Sequence, residues 1–183
     1  DYSRAEQVHI IMPKDCNQTF RLFGGKLMEW VDVVAAVVAR RHCACEVTTA
    51  AIDRLDFLAP AKLDDIVVLQ GRMVYVGRTS MLICVDTYVE DSACETVNRT
   101  HVNRAYVTMV ALGRDKRPVA VPALVLETEQ QRADFEIGKA RREASRHATR
   151  CTPRHGRRLP SAAPGVPFRW TARSPARIRR LSP

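Results

Sequence analysis

A chain of 183 residues, 46% of them hydrophobic, has the size and composition of one soluble globular domain. No run approaches the roughly 18 apolar residues that a membrane span needs, since even Val31 to Ala39 contains Asp32. The net charge of +9 is concentrated: residues 139–183 carry +12, with thirteen Lys and Arg against Glu143, which leaves the rest at −3 and argues against a nucleic-acid-binding face on the folded body. In chain order, Glu6 to Met12 alternates enough to open the fold as a strand, and Pro13-Lys14-Asp15 ends it with turn chemistry. After a loop and Phe23-Gly24-Gly25, the spacing of Leu27, Val31, Val34 and Val38 predicts one long helix from Lys26 to His42. Four long strands are then expected over Glu46 to Phe57, Ile66 to Val76, Thr79 to Val89 and Thr100 to Leu112. Breaks at Ala59-Pro60, Gly77-Arg78, Asp91-Ser92 and Gly113 separate them. Beyond Pro122, Glu127 to His147 reads as a charged surface helix.

This order implies an α+β domain in which an antiparallel sheet wraps around one long central helix, the arrangement of a hotdog fold. The expected organisation is a hotdog domain over 1–125, a charged C-terminal surface helix over 126–148 and a disordered Arg/Pro-rich tail over 149–183. The tail holds six of the ten prolines and few aliphatic residues, too little to offset its chain entropy. An electrostatic tether to RNA, DNA or anionic lipid is one reading of it. A solvated extension is the expectation adopted, because Phe168 and Trp170 are its sole aromatics and positive charge alone holds phosphate loosely.

The six cysteines (Cys16, Cys43, Cys45, Cys84, Cys94 and Cys151) are scattered, and the one close pair is separated by a single residue, unlike a zinc knuckle. No metal site is therefore expected, and the scatter suits free thiols in a reducing compartment, with the cytoplasm as the simplest location. Asp1-Tyr2-Ser3-Arg4 lacks the apolar core and cleavage site of a secretory signal.

Two positions on the central helix point to chemistry. Helical spacing sets Asp32 on the seam of Met28, Ala35, Ala36 and Ala39 rather than among Lys26, Glu29 and Arg40. A desolvated carboxylate in a groove is a competent general base or nucleophile; the structural alternative is an Asp paired with Arg41. Gly24-Gly25 supply unhindered backbone N–H groups at the positive end of the helix dipole, suited to an oxyanion, or simply a tight turn. Gly25 and Asp32 are seven residues apart, roughly 10 Å along the axis at 1.5 Å per residue, too far to serve one carbonyl carbon. If both act, they belong to different helices in a site shared between two such domains.

Met-Pro-Lys-Asp-Cys-Asn (12–17), Phe-Gly-Gly-Lys-Leu-Met (23–28), Trp-Val-Asp (30–32), Ala-Arg-Arg-His (39–42), Asp-Phe-Leu-Ala-Pro (56–60) and Gly-Arg-Thr-Ser-Met (77–81) stand in an order and spacing that resembles the hotdog acyl-CoA hydrolases. Val-Pro-Ala-Leu-Val-Leu-Glu-Thr-Glu (121–129) continues the likeness, which covers about Val8 to Ala140. The resemblance implies hydrolysis of acyl-CoA to a carboxylic acid and CoA without a cofactor, in a dimer or trimer of dimers, with nucleic acid and membrane not expected as partners. It implies that Asp32 activates water or attacks the thioester, and that Asn17, from another domain, orients water or carbonyl. Gly24 or Gly25 would then bind the oxyanion, and Arg78, Thr79 and Ser80 would meet the nucleotide end of CoA. From the residues alone, Asn17 reads as an Asx-turn, the Arg78 segment as a hairpin turn, and His42 as a complement to the helix dipole. Two departures stand out: Phe20 and Asp64 occupy positions where many relatives carry Gly. The rival readings are a CoA-binding protein without turnover and a nucleic-acid-binding module acting through the tail.

Overall fold

A computed structural model describes residues 3–53, 55–91 and 98–151; the predicted tail beyond Cys151 lies outside the described residues. Its elements are β1 (Arg4–Ile10), a 3-10 turn (Pro13–Asp15), α1 (Gly24–Cys43), β2 (Glu46–Ile52), β3 (Asp56–Phe57), β4 (Ile66–Val76), β5 (Ser80–Asp91), β6 (Asn98–Leu112) and α2 (Glu129–Cys151). The strands form one antiparallel sheet in the order β1-β4-β5-β6-β2, with β3 also on β6. The sheet is wrapped on α1, as the element order required.

The helix forms because its apolar residues recur on one face, and Leu27, Val31, Val34 and Val38 are fully buried. Ala44 caps it in the left-handed conformation (φ 50°), donating its N–H to the Arg40 carbonyl at 2.9 Å. Arg40, Arg41 and His42 in the last turn complement the dipole. The helix lies close on β4 because Gly71 has no side chain: a Cβ there would stand 2.5 Å from a Val34 methyl.

Strand alternation divides β5 cleanly. Met81, Ile83 and Val85 join the core under α1, while Leu82 and Cys84 pack with Val74 and Tyr106 on the outer face. There α2 docks, through Phe135 against Tyr75 (ring centroids 5.2 Å) and the Arg141 guanidinium 4.0 Å from the Tyr106 centroid. Gly138 permits this approach, since a Cβ would meet that of Tyr75 at 2.8 Å. The outer face also buries Asp86, which accepts hydrogen bonds from Arg72, Arg104 and His101, and Arg72 continues to Asp134 on α2.

One expected strand is corrected. The run from Glu46 to Phe57 divides into β2 and β3, after a register shift between Thr49 and Ala51. The bulge turns the edge strand, Asp53 is a poor strand residue, and its N–H bonds to the Tyr106 carbonyl at 2.8 Å before pairing resumes at Asp56. Other boundaries moved by a few residues: β1 runs from Arg4 to Ile10 and α2 from Glu129 to Cys151. Both departures from the family pattern fall on left-handed backbone, Phe20 at φ 54° and Asp64 at φ 68°. Glycine adopts this conformation freely and an Asp tolerates it, whereas Phe20 bears a cost of about 1–2 kcal/mol.

Candidate functional site

Asn17 stands at the exposed end of the loop between the 3-10 turn and α1. Its Oδ1 accepts the Thr19 N–H (2.9 Å), the Thr19 hydroxyl (2.7 Å) and the Arg21 N–H (3.2 Å), so the Asx-turn exists. Two backbone donors fix the amide orientation, because a flipped amide would face N–H against N–H. The consequence is chemical: Nδ2 points its protons elsewhere, and it bonds to no partner among the described residues. Asn17 is thus equipped to donate.

Asn17 and Gly24 line the same cleft of about 400 Å³, with Arg21, Leu22, Phe57 to Ala61 and Val102. The first N–H groups of α1 have no intrahelical acceptor, and among the described residues those of Gly24 and Gly25 find no other. Asp15 binds this loop to the helix. Buried to 3% exposure, it takes the Met12 N–H on its carboxylate (3.1 Å) and the Phe23 N–H on its carbonyl (2.8 Å). An amide donor and a helix N-terminus therefore converge on one apolar cleft.

Asp32 lies elsewhere, eight residues along α1 from Gly24, roughly 12 Å by helical rise. It is half-buried at the edge of the core face, beside fully buried Ala35 and Ala39 but also exposed Met28. The alternative of a pair with Arg41 finds no support, because Arg41 donates to the Arg4 carbonyl. Instead the Thr49 hydroxyl donates to Asp32 Oδ1 at 2.5 Å, with Met109 Sδ 3.4 Å behind it. That leaves Oδ2 without a partner among the described residues. Sequence reasoning missed Thr49: nothing local marks it, since its approach to Asp32 depends on the pairing of β2 with β6.

Arg78, Thr79 and Ser80 form the β4–β5 hairpin, closed by the Gly77 N–H on the Ser80 carbonyl at 2.7 Å. Arg78 is exposed. Ser80 pairs with Val110 and Val110 with Thr48, so the hairpin lies two strands, about 10 Å, from the strand that carries Thr49. His42 bridges Ser3 Oγ and the Pro122 carbonyl, both at 3.0 Å, and so ties β1 to the segment before α2. Among the buried thiols, Cys84 is no nucleophile at neutral pH: burial, then the charge of Asp86, pushes it up to about 11.

Asn17 with Gly24 and Asp32 with Thr49 thus form two separate clusters, which one copy of the chain does not bring together. Residues 21–96 match the family model described as Thioesterase superfamily. The chain is 37% identical over 129 residues to an uncharacterized acyl-CoA thioester hydrolase of Bacillus subtilis, covering 70% of this chain and 74% of that one. It is 33% identical over 140 residues to the cytosolic acyl coenzyme A thioester hydrolase of Rattus norvegicus, covering 76% of this chain and 37% of that relative's length. Among solved structures it is similar to an apo-hexameric acyl-CoA thioesterase (TM-score 0.76, 32% identity, 81% and 94% coverage). It is also similar to a Staphylococcus aureus acyl-CoA hydrolase in complex with butyryl coenzyme A and coenzyme A (TM-score 0.75, 29% identity, 81% and 92% coverage). Variants of that hydrolase with an Asn, an Asp or a Thr changed to Ala have also been solved, at positions 15 and 17 residues apart. The same intervals separate Asn17, Asp32 and Thr49.

Proposed function

The chain belongs to the Thioesterase superfamily, and on that footing we propose that it hydrolyses acyl-CoA thioesters to a carboxylic acid and CoA, without a cofactor, in a site shared between two copies. One observation carries the reading: a free amide donor beside a helix N-terminus in one half-site, and a hydroxyl-held carboxylate in the other, separated by more than one carbonyl can span. Asn17 Nδ2 and the Gly24 or Gly25 N–H receive the thioester oxygen as negative charge develops on it. Asp32 of the second copy, oriented by Thr49, uses its free Oδ2 to take a proton from water or to attack the carbonyl carbon. The C–S bond breaks and the sulfur leaves as the CoA thiolate, which takes up the proton drawn from water; where Asp32 attacks directly, water then cleaves the acyl–Asp32 anhydride to release the acid and restore the carboxylate, with the Arg78 hairpin toward the phosphates.

The assembly proposed is a dimer or trimer of dimers, in keeping with the hexameric relative, and the cytoplasm is its proposed location, as for the cytosolic relatives. No described helix is long and apolar enough to cross a membrane. A CoA-binding protein without turnover is the main rival, and it would release no thiol when incubated with acyl-CoA.

Subunit exchange tests the shared site. Asn17→Ala and Asp32→Asn chains are each expected to be inactive, whereas an equal, exchanged mixture should recover about a quarter of wild-type activity, since half of the dimers are mixed and each keeps one intact site. A mixture with mass-verified mixed dimers that stays as inactive as either parent would overturn the model. Thr49→Ala, which removes the bond to Asp32, is expected to lower kcat about tenfold in thiol-release assays, the scale of one hydrogen bond to a charged group.

A further inference from the structure

The cleft beside Asn17 is lined by polar and apolar residues together. Asn17, Arg21 and Gly24 are its polar and backbone contributions. Leu22, Ala61 and Val102, exposed by 8%, 5% and 1%, close the floor, and Phe57 and Leu58 rise as exposed walls. Phe57 lies directly across Gly24, its ring 3.4 Å from where a Cβ would stand. Single exposed apolar side chains need no explanation, but Phe57 (50%) and Leu58 (64%) flank the two donors assigned to the thioester oxygen.

A thioester carbonyl held by Asn17 and Gly24 extends in two directions. The pantetheine side carries two amides, which need hydrogen-bond partners that Leu22, Phe57, Leu58, Ala61 and Val102 do not offer through their side chains. The acyl side needs none. Resting on the thioesterase reading, we propose that this cleft is the acyl subsite, that Leu58 and Phe57 form its walls, and that Ala61 at its floor limits chain length. At about 400 Å³ it falls at the small end of ligand pockets, typically about 300–1,000 Å³. Specificity should therefore rise with each methylene, about fourfold per buried CH₂, until the floor is reached, and then level off.

The test compares wild type, Leu58→Ala and Ala61→Val on acetyl-, butyryl-, octanoyl- and palmitoyl-CoA, with kcat/KM from thiol release. Binding of the same four compounds to the Asp32→Asn chain is measured by calorimetry. Leu58 is well exposed, so its replacement leaves the core intact. The octanoyl-to-acetyl ratio of kcat/KM is expected to fall about tenfold in Leu58→Ala, and the plateau to shift to shorter chains in Ala61→Val. Equal losses at all chain lengths in Leu58→Ala, or an unmoved plateau in a folded Ala61→Val, would overturn the subsite. Affinity that rises with chain length, together with no hydrolysis by wild type, would support the subsite and remove the thioesterase reading instead.

Discussion

Asp32→Asn is expected to lower kcat by at least about a hundredfold while leaving fold and assembly intact, the scale of losing a general base or a nucleophile. The substitution is isosteric, and the amide oxygen can still accept the Thr49 hydroxyl at the place where Oδ1 now does. What disappears is the charge and basicity of Oδ2. The loss should therefore appear in kcat with little change in KM, because an interaction made in the transition state has been removed rather than one made to bound substrate. Turnover on butyryl-CoA, read beside thermal unfolding of the same preparation, decides the matter. A folded variant with near wild-type kcat would show that Asp32 is structural and that the oxygen left free beside Thr49 has no part in the chemistry.

The sequence made the central helix legible because its information is local: Leu27, Val31, Val34 and Val38 specify one buried face whatever surrounds it. The sheet was nearly as legible, since β4, β5 and β6 are long β-branched runs cut by turn residues. Where local pattern failed, long-range pairing had intervened. The expected strand through Phe57 breaks at Asp53 because the bulge after Thr49 is set by register with β6, which no window within β2 reveals. Thr49 itself escaped notice for the same reason. Asn17 illustrates a different case: from the residues alone the Asx-turn and the proposed donor role are alternatives, yet one side chain is compatible with both, because its oxygen is satisfied locally while Nδ2 has no partner among the described residues. The charge cluster on the outer sheet face was invisible, because Arg72, Asp86, Arg104 and Asp134 meet only through strand register and the seat of α2.

That cluster carries the largest expected effect on stability. Asp86→Asn should lower the thermal midpoint at neutral pH by roughly 10 °C, because removing one partner of a buried ion pair costs about 3–5 kcal/mol and each kcal/mol shifts a domain of this size by about 4 °C. The Asp86 side chain is 3% exposed and receives Arg72 Nη1 at 2.6 Å, Arg104 Nε at 2.5 Å and His101 Nε2 at 3.2 Å. Arg104 is nearly half exposed and can recover water, which places the cost near the lower end of that range. Arg72 cannot do so as fully, and it also anchors α2 through Asp134 at 2.9 Å, so the helix should loosen with the pair. The pH dependence has a definite sign. Burial alone would raise the Asp86 carboxyl, but the bonds from Arg104 and Arg72 outweigh it and hold the group below the ordinary carboxylate range. A carboxyl depressed in the folded state contributes stability that is present above its unfolded value, about 3.9, and is lost as the pH falls through its folded value. The gap between wild type and Asp86→Asn should therefore narrow below about pH 4, as protonation deprives the wild type of the same charge. Calorimetric midpoints from neutral pH to below about pH 4 provide the measurement: a gap that fails to narrow at the acid end, or equal midpoints at neutral pH, would mean that the arginines do not depend on Asp86.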